Sequence, residues 1–439
     1  MRDLALILLI FGALPFAFGR PAIGIFLWVW VSVMNPHRLT WNYAADFPFA
    51  QAIAIVTLIG ILLSRKERKF PWTPVTVVMV LLILWMNVNM IFALDHEAAF
   101  PMWDRVMKIF LMTFVALYVL RTKQDVQVLI WVITLSVAFF GIKGGLFTIR
   151  EGGEFRVYGP PGSFIEENNS LALATIMTIP LLWYLYLQAT KGWLRLGLLG
   201  AMVLCSLSAL GSHSRGAFLA IGAMLGSLWL KSRRKLITGF VLILLVPFAI
   251  AFMPEKWEER MRSIQHYEQD SSAMGRINAW NMAVNLATDR APLGGGFEIY
   301  NRSVFGRYAP VPDDVHSAHS IYFQMLGEHG YIGLALFLLL WWLVWRDARR
   351  IVKQARGRNE WQWASDLARM IQVSLVGYAV GGAFLNLAYY DVPYYLLVAI
   401  VLTRVMLKKA LRELDQREEV TVPTSDSSMK PVAPKSPLA

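Results

Sequence analysis

Hydrophobic positions in this chain fall into long runs separated by short polar or basic stretches. Residues 75–94, 126–140, 170–187, 196–210, 236–252 and 332–344 are predominantly apolar. Each approaches or reaches the roughly 20 residues a helix needs to cross a hydrocarbon layer. A soluble core has no room for so many unbroken runs. Because a bilayer leaves backbone amides no partner but their own helix, the pattern predicts an all-α polytopic membrane protein.

Basic clusters recur between the runs at 65–69, 121–123, 191–195, 231–235, 346–358 and 408–412. The excess of Lys and Arg in cytoplasmic loops assigns these clusters to one side. The alternate connections 95–104, 148–169, 211–215, 253–320 and 389–395 then lie on the other side. This gives about ten crossings after Lys69. In the first 64 residues Arg20-Pro21 splits one apolar stretch, and Asn35-Pro36-His37 ends it before another run at 50–63. Two crossings there, with one segment short or re-entrant, give about 12 transmembrane helices and cytoplasmic termini; three would put the N-terminus outside. Met1-Arg2-Asp3 lacks a positive leader, and no small-residue cleavage site follows, so the first run is expected to be retained as a membrane segment.

Only the stretch 253–320 is long enough for a layer outside the membrane. Ile277, Trp280, Met282, Ala283, Val284 and Leu286, set among polar residues, predict an amphipathic helix lying on the membrane or over a cavity. The expected organisation is one transmembrane domain, 1–418, with 253–320 as a helical cap, followed by a Pro-, Ser- and Lys-rich tail, 419–439, read as disordered cytoplasmic chain.

Composition agrees with this reading. The 439 residues are 56% hydrophobic and 16% charged, against about 25% charged in soluble domains. The net charge of +12 sits in clusters between runs, which fits topogenic charge and not a nucleic-acid-binding stripe. Cys205, the sole cysteine, lies inside an apolar run and has no partner for a disulfide.

Residues suited to chemistry gather on the non-cytoplasmic side. Arg215 sits in Gly211–Gly216 between two runs, where a guanidinium serves as an interfacial anchor or an anion ligand. Arg276 precedes Trp280, and Gly294-Gly295-Gly296-Phe297 follows; the glycines suit a turn or a ligand loop. His316-Ser317-Ala318-His319-Ser320 leads to Glu328 and Gly330. Eleven residues separate His319 from Gly330, about three helical turns, which predicts that both lie on one face of one helix that His319 caps. A histidine there can act as a base near neutral pH. His316, His319 and Glu328 could instead ligate a metal, but no H-E-x-x-H spacing accompanies them. Lys143-Gly144-Gly145, Arg150, Arg156, Gly159-Pro160-Pro161-Gly162 and Asn169 supply further cations and hydrogen-bonding groups.

Together these features resemble the O-antigen ligase family, whose superfamily includes O-antigen polymerases and protein O-oligosaccharyltransferases. The resemblance rests on Ser214-Arg215-Gly216 after a run, on Arg276 four residues before Trp280, and on the turn at 294–297. It rests most specifically on His319-Ser320, nine residues, then Gly330-x-x-Gly333. Arg156-x-x-Gly159 and Asn169-x-x-Ala172 add to it, so that it spans roughly residues 140–340. The N-terminal portion around Pro36-His37 looks lineage-specific. The resemblance implies a GT-C-like glycosyltransferase of the bacterial inner membrane that moves a glycan from undecaprenyl diphosphate to lipid A-core at the periplasmic face, without metal or other cofactor. It implies His319 as base and Arg215 and Arg276 as stabilisers of the leaving diphosphate, with inversion of the linkage. Arg156, Lys143, Asn169, His316 and Glu328 are expected as further substrate contacts. A polymerase or a protein oligosaccharyltransferase is the alternative. A lipid or polysaccharide transporter is a weaker one, since the runs are nearly free of charge at their centres.

Overall fold

A computed structural model describes residues 2–64, 67–231, 235–236, 239 and 271–421. The apolar run at 236–252, the first part of the stretch 253–320 up to residue 270, and residues 422–439 of the tail lie outside the described residues, apart from isolated positions. The described chain is helical: α1 (Arg2–Gly19), α2 (Pro21–Met34), α3 (Phe49–Leu63), α4 (Pro74–Ile91), α5 (His96–Val119), α6 (Lys123–Arg150), α7 (Asn168–Gln188), α8 (Gly192–Leu210), α9 (Arg215–Lys231), α10 (Ser271–Asp289), α11 (Arg302–Tyr308), α12 (Ile321–Gln354), α13 (Gln362–Gly382) and α14 (Asp391–Thr421).

Local chemistry sets many of the boundaries. Pro21 and Pro74 occupy first helical positions, where a missing N–H leaves no bond unmade. Thr73 with Thr76, and Thr122 with Asp125, form reciprocal capping boxes at α4 and α6. Asn35, in the left-handed region with φ 50°, ends α2 just before Pro36.

Six described helices, α1, α4, α6, α7, α8 and α12, are long and apolar enough to cross a membrane; α2, α3 and 215–230 of α9 are shorter apolar helices. By that measure the chain is a multi-pass helical membrane protein. The described part of the first 64 residues forms three α-helices and a short 3-10 helix at Pro36–Leu39, and of these α1 alone reaches span length. Residues 95–104 are not the connection the sequence pattern suggested. Asp95 accepts from the Ala98 amide and caps α5, which begins at His96, so the connection shrinks to a turn. Glu97, Asp104, Arg105 and Lys108 dilute the apolar signal without breaking the helix.

α7 lies near the centre, buried along most of its length, with α6, α8 and α13 against it. Side chains at three glycine positions of α6 would collide with α8: at Gly141 with Cys205 Sγ at 2.5 Å, at Gly144 with Ser208 Oγ at 2.3 Å and at Gly145 with the Leu204 carbonyl at 2.1 Å. Gly144-Gly145 therefore serves close helix packing, as small residues do in membranes.

The segment from Ser271 to the start of α12 has a hydrophobic cluster of its own in Met282, Leu286, Ile299, Val304 and Phe305. The expected amphipathic helix is α10, which buries Gly275, Asn278, Ala279, Met282, Ala283 and Leu286 at helical spacing. The Asn278 amide donates to the carbonyls of Val311 and Asp314 at 2.8 and 2.9 Å, fastening the returning chain.

α12 is broken at Gly330, where φ is 66° and ψ −172°. Ile321 and Phe337 would lie about 24 Å apart on a straight helix, yet they line one groove. The carbonyls around the break find partners elsewhere: Gly327 accepts from the Gly295 amide (2.8 Å), Glu328 from that of Gly296 (3.0 Å), and His329 from the Trp85 indole (2.8 Å). The triple glycine is thus a docking turn. A Cβ at Gly294 would lie 2.4 Å from the Glu328 carbonyl, and one at Gly330 would lie 2.5 Å from that of Pro292. Gly294→Ala and Gly330→Ala are each expected to destabilise the fold by about 1–3 kcal/mol. A lowered thermal midpoint in detergent checks this.

Candidate functional site

Four segments meet around one cavity. Ser214 Oγ accepts from the Ala217 amide at 3.1 Å and caps α9, so Arg215 is the first residue of that helix. The preceding turn is held from two sides. Asn168, first residue of α7, donates to the Ser212 carbonyl at 2.7 Å, and the His213 ring lies 2.7 Å from the Gly153 carbonyl. Asn169, next along α7, then shares a wall with Ser214 and Arg215 in a cavity of about 260 Å³. Ser272, Ala273 and Arg276 of α10 form a second wall, and Phe384 and Leu385 close the space. The N-termini of α7 and α9 abut the cavity and add partial positive charge to its two guanidinium groups.

His319 is not among the residues that line this cavity; it lies close enough to Arg276 of the wall to feel its charge, and its neighbours fix it there. Trp280, one turn beyond Arg276 on α10, donates its indole N–H to the Ala318 carbonyl at 2.7 Å and stacks on Phe323 at 4.9 Å between centroids. On the other side the Ser320 amide donates to Asn386 Oδ1 at 3.3 Å. His319 itself adopts the left-handed φ of 42°. Burial, the charge of Arg276 and that of His316 push its imidazole down to about 4. It is therefore neutral at pH 7, with a free lone pair but less basicity than the sequence pattern suggested.

Residues 200–338 match the family model described as O-Antigen ligase. The matched segment contains Arg215, Arg276 and His319. Over these residues the chain is similar to the O-antigen ligase family. Residues 1–190 match a second model, a family of unknown function (DUF5935), so Arg156 and Asn169 fall in a segment that the ligase model does not cover. No curated protein matches the chain.

The expected helix from His319 to Gly330 is corrected by the structure. Ser320 holds the N-cap position, His319 precedes it, and α12 breaks at Gly330. Glu328 is 1% exposed; it accepts from the Tyr389 hydroxyl and from the Glu298 amide (3.3 Å), off the cavity wall. The His329 ring joins the same cluster, 2.7 Å from that hydroxyl. His316 stays near the site: its ring fills the space where a side chain on Gly275 would stand, and its Nε2 lies 3.3 Å from Asp314. Lys143 and Arg156 are exposed and do not line the cavity. Among the described residues no three His, Cys, Asp or Glu side chains are placed to hold a metal ion.

The sequence pattern missed Phe384, Leu385 and Asn386. It put the connection at 389–395, whereas α13 ends at Gly382 and α14 starts at Asp391. The available signal was Asn386, a lone polar residue just after Gly381-Gly382. A second space of about 230 Å³ lies between α12 and α13, lined by Tyr322, Phe337, Trp341, Trp345, Leu375 and Tyr378. It is almost wholly apolar. The Tyr322 hydroxyl donates to the Ala379 carbonyl at 2.8 Å, bridging its two helices five residues before Phe384 of the cavity.

Proposed function

We propose that this protein transfers a glycan from undecaprenyl diphosphate to the lipid A-core oligosaccharide at the periplasmic face of the bacterial inner membrane. The observation that carries the reading is the shared cavity of Arg215 and Arg276, 61 positions apart in sequence (276 − 215), with neutral His319 beside Arg276. The family match at 200–338 supports it.

In this reading the diphosphate lies between the two guanidinium groups and the helix N-termini. The acceptor hydroxyl oxygen attacks the anomeric carbon, the bond from that carbon to the diphosphate oxygen breaks, and its electron pair leaves with the diphosphate. Attack from the opposite side inverts the linkage. The hydroxyl proton passes to His319. Arg276 is one of the charges that depress this imidazole. A bound diphosphate offsets that charge, so donor binding raises the basicity of His319 when a base is required. The arginines take the charge-neutralising role without a metal ion. The isoprenoid follows the apolar groove between α12 and α13.

The test supplies the purified protein with one lipid-linked glycan donor and three acceptors in turn. Glycan on lipid A-core is the expected product. Elongation on the carrier instead would make the protein a polymerase, and modification of a protein hydroxyl would make it an oligosaccharyltransferase. No product with any acceptor rejects transfer.

A further inference from the structure

The Gly159-Pro160-Pro161-Gly162 turn has no part in the reaction as described, yet it is tightly built. The Gly159 amide donates to the Glu166 carbonyl at 2.9 Å, and the Gly162 amide donates to Glu166 Oε2 at 2.7 Å. A side chain on Gly159 would strike the Ile165 carbonyl at 1.8 Å. Gly162, with φ 72°, presses the turn against the Arg38 guanidinium, 3.6 Å from where a Cβ would stand. Arg38 in turn pairs with Asp46 at 3.2 Å.

From this turn Phe164 reaches the Arg105 guanidinium, which lies over its ring 3.9 Å from the centroid. Arg105 is also the cation that acts on Asp391, the first residue of α14. Asp391 is 3% exposed and accepts from the Ser32 hydroxyl of α2. Tyr390 brings its ring to 6.5 Å from that of Phe164. Segments from α2, the turn and α14 thus meet around Asp391, Tyr390 and Phe164, with the Arg105 guanidinium of α5 stacked on Phe164 and close enough to Asp391 to act on its charge. Both the turn and the start of α14 lead directly to the cavity: Asn169 comes five residues after Phe164, and Leu385 six residues before Asp391.

We infer that Arg105 is a positioning residue for the transfer reaction, clamping the 159–167 turn and the start of α14 together and so fixing Asn169 and the 383–390 connection as cavity walls. The inference rests on the reading of the cavity as the transfer site. It gives a segment that matches only a family of unknown function a defined part in that site.

Arg105→Ala strips buried Asp391 of its counter-charge and endangers folding. The informative variants are therefore Arg105→Lys, which keeps the charge but loses the planar stack, and Phe164→Ala, which removes the ring alone. Each is expected to raise KM for the lipid-linked donor about tenfold, the scale of a desolvated cation–π contact, with kcat changed less than about twofold. Membrane abundance and thermal midpoint should stay near wild type. Asn169→Ala is expected to raise KM similarly, and Phe164→Ala should add little on top of it, because both act through one wall. Wild-type KM in Phe164→Ala, fully additive effects, or a loss of stability with unchanged kinetics would overturn the inference. A wild-type protein that transfers nothing would instead sink the reading it rests on.

Discussion

Arg276→Ala and Arg215→Ala are each expected to slow transfer by about 10²- to 10³-fold, as removal of a preorganised donor to a developing anion does elsewhere. The leaving diphosphate gains charge as the glycosidic bond breaks. In the proposed reaction two guanidinium groups on the wall of a small cavity meet that charge. The loss should fall mainly on kcat, since the charge on the diphosphate grows toward the transition state. Lysine at either position should restore only part of the rate, because an ammonium is a point charge without the planar fork that binds two phosphate oxygens at once. Initial rates with purified lipid-linked glycan, normalised to protein in the membrane, measure this directly.

The second large effect belongs to His319. His319→Ala should lower kcat by about 10²- to 10⁴-fold, and its pH dependence separates a base from a spacer. With the imidazole pushed down to about 4, His319 is unprotonated at all higher pH, so the acid limb of kcat/KM should fall near pH 4. Arg276→Gln removes one of the depressing charges and should move that limb upward, toward the ordinary histidine value of about 6.5. Donor binding offsets the same charge, so the limb in kcat should lie above the limb in kcat/KM. A limb near 6.5 that ignores Arg276→Gln would contradict the proposed coupling. In the unfolded chain His319 binds its proton near 6.5, so between about 4 and 6.5 the unfolded state holds more protons and stability falls as pH falls.

Much of the architecture was legible because it follows from periodicity. Apolar runs marked the long helices, and Ile277, Trp280, Met282, Ala283, Val284 and Leu286 marked α10, although Ile277 and Trp280 are only half-buried there and Val284 is exposed. The three residues proposed for the site stand in motifs visible in the sequence, Ser214-Arg215-Gly216, Arg276 before Trp280, and His319-Ser320, and the structure brings Arg215 and Arg276 to one cavity. What periodicity could not convey was how the motifs are fastened. Trp280 matters to the site because its indole holds the Ala318 carbonyl beside His319, a contact across 38 positions (318 − 280). Gly330 looked like a step along a helix and is instead its break, because φ 66° depends on the docking of 292–296 as much as on the glycine.

Charge misled in both directions. Glu328 looked like a ligand because it stands among histidines and glycines, but Tyr389 from a distant turn takes it into the interior. Arg105 attracted no attention beside Asp104 and Lys108, since its meaning depends on Phe164 and Asp391, 59 (164 − 105) and 286 (391 − 105) positions away. Lys143 and Arg156 share a face of the sequence pattern with the site but remain exposed, off the cavity wall.

The central claim is that a diphosphate is held between Arg215 and Arg276. The most direct measurement is a structure of the protein in membrane discs with an undecaprenyl diphosphate bound. The account predicts phosphate density in the cavity between the two guanidinium groups, with His319 facing the sugar-bearing oxygen. Diphosphate held at another surface, with both arginines turned away from it, would contradict the account.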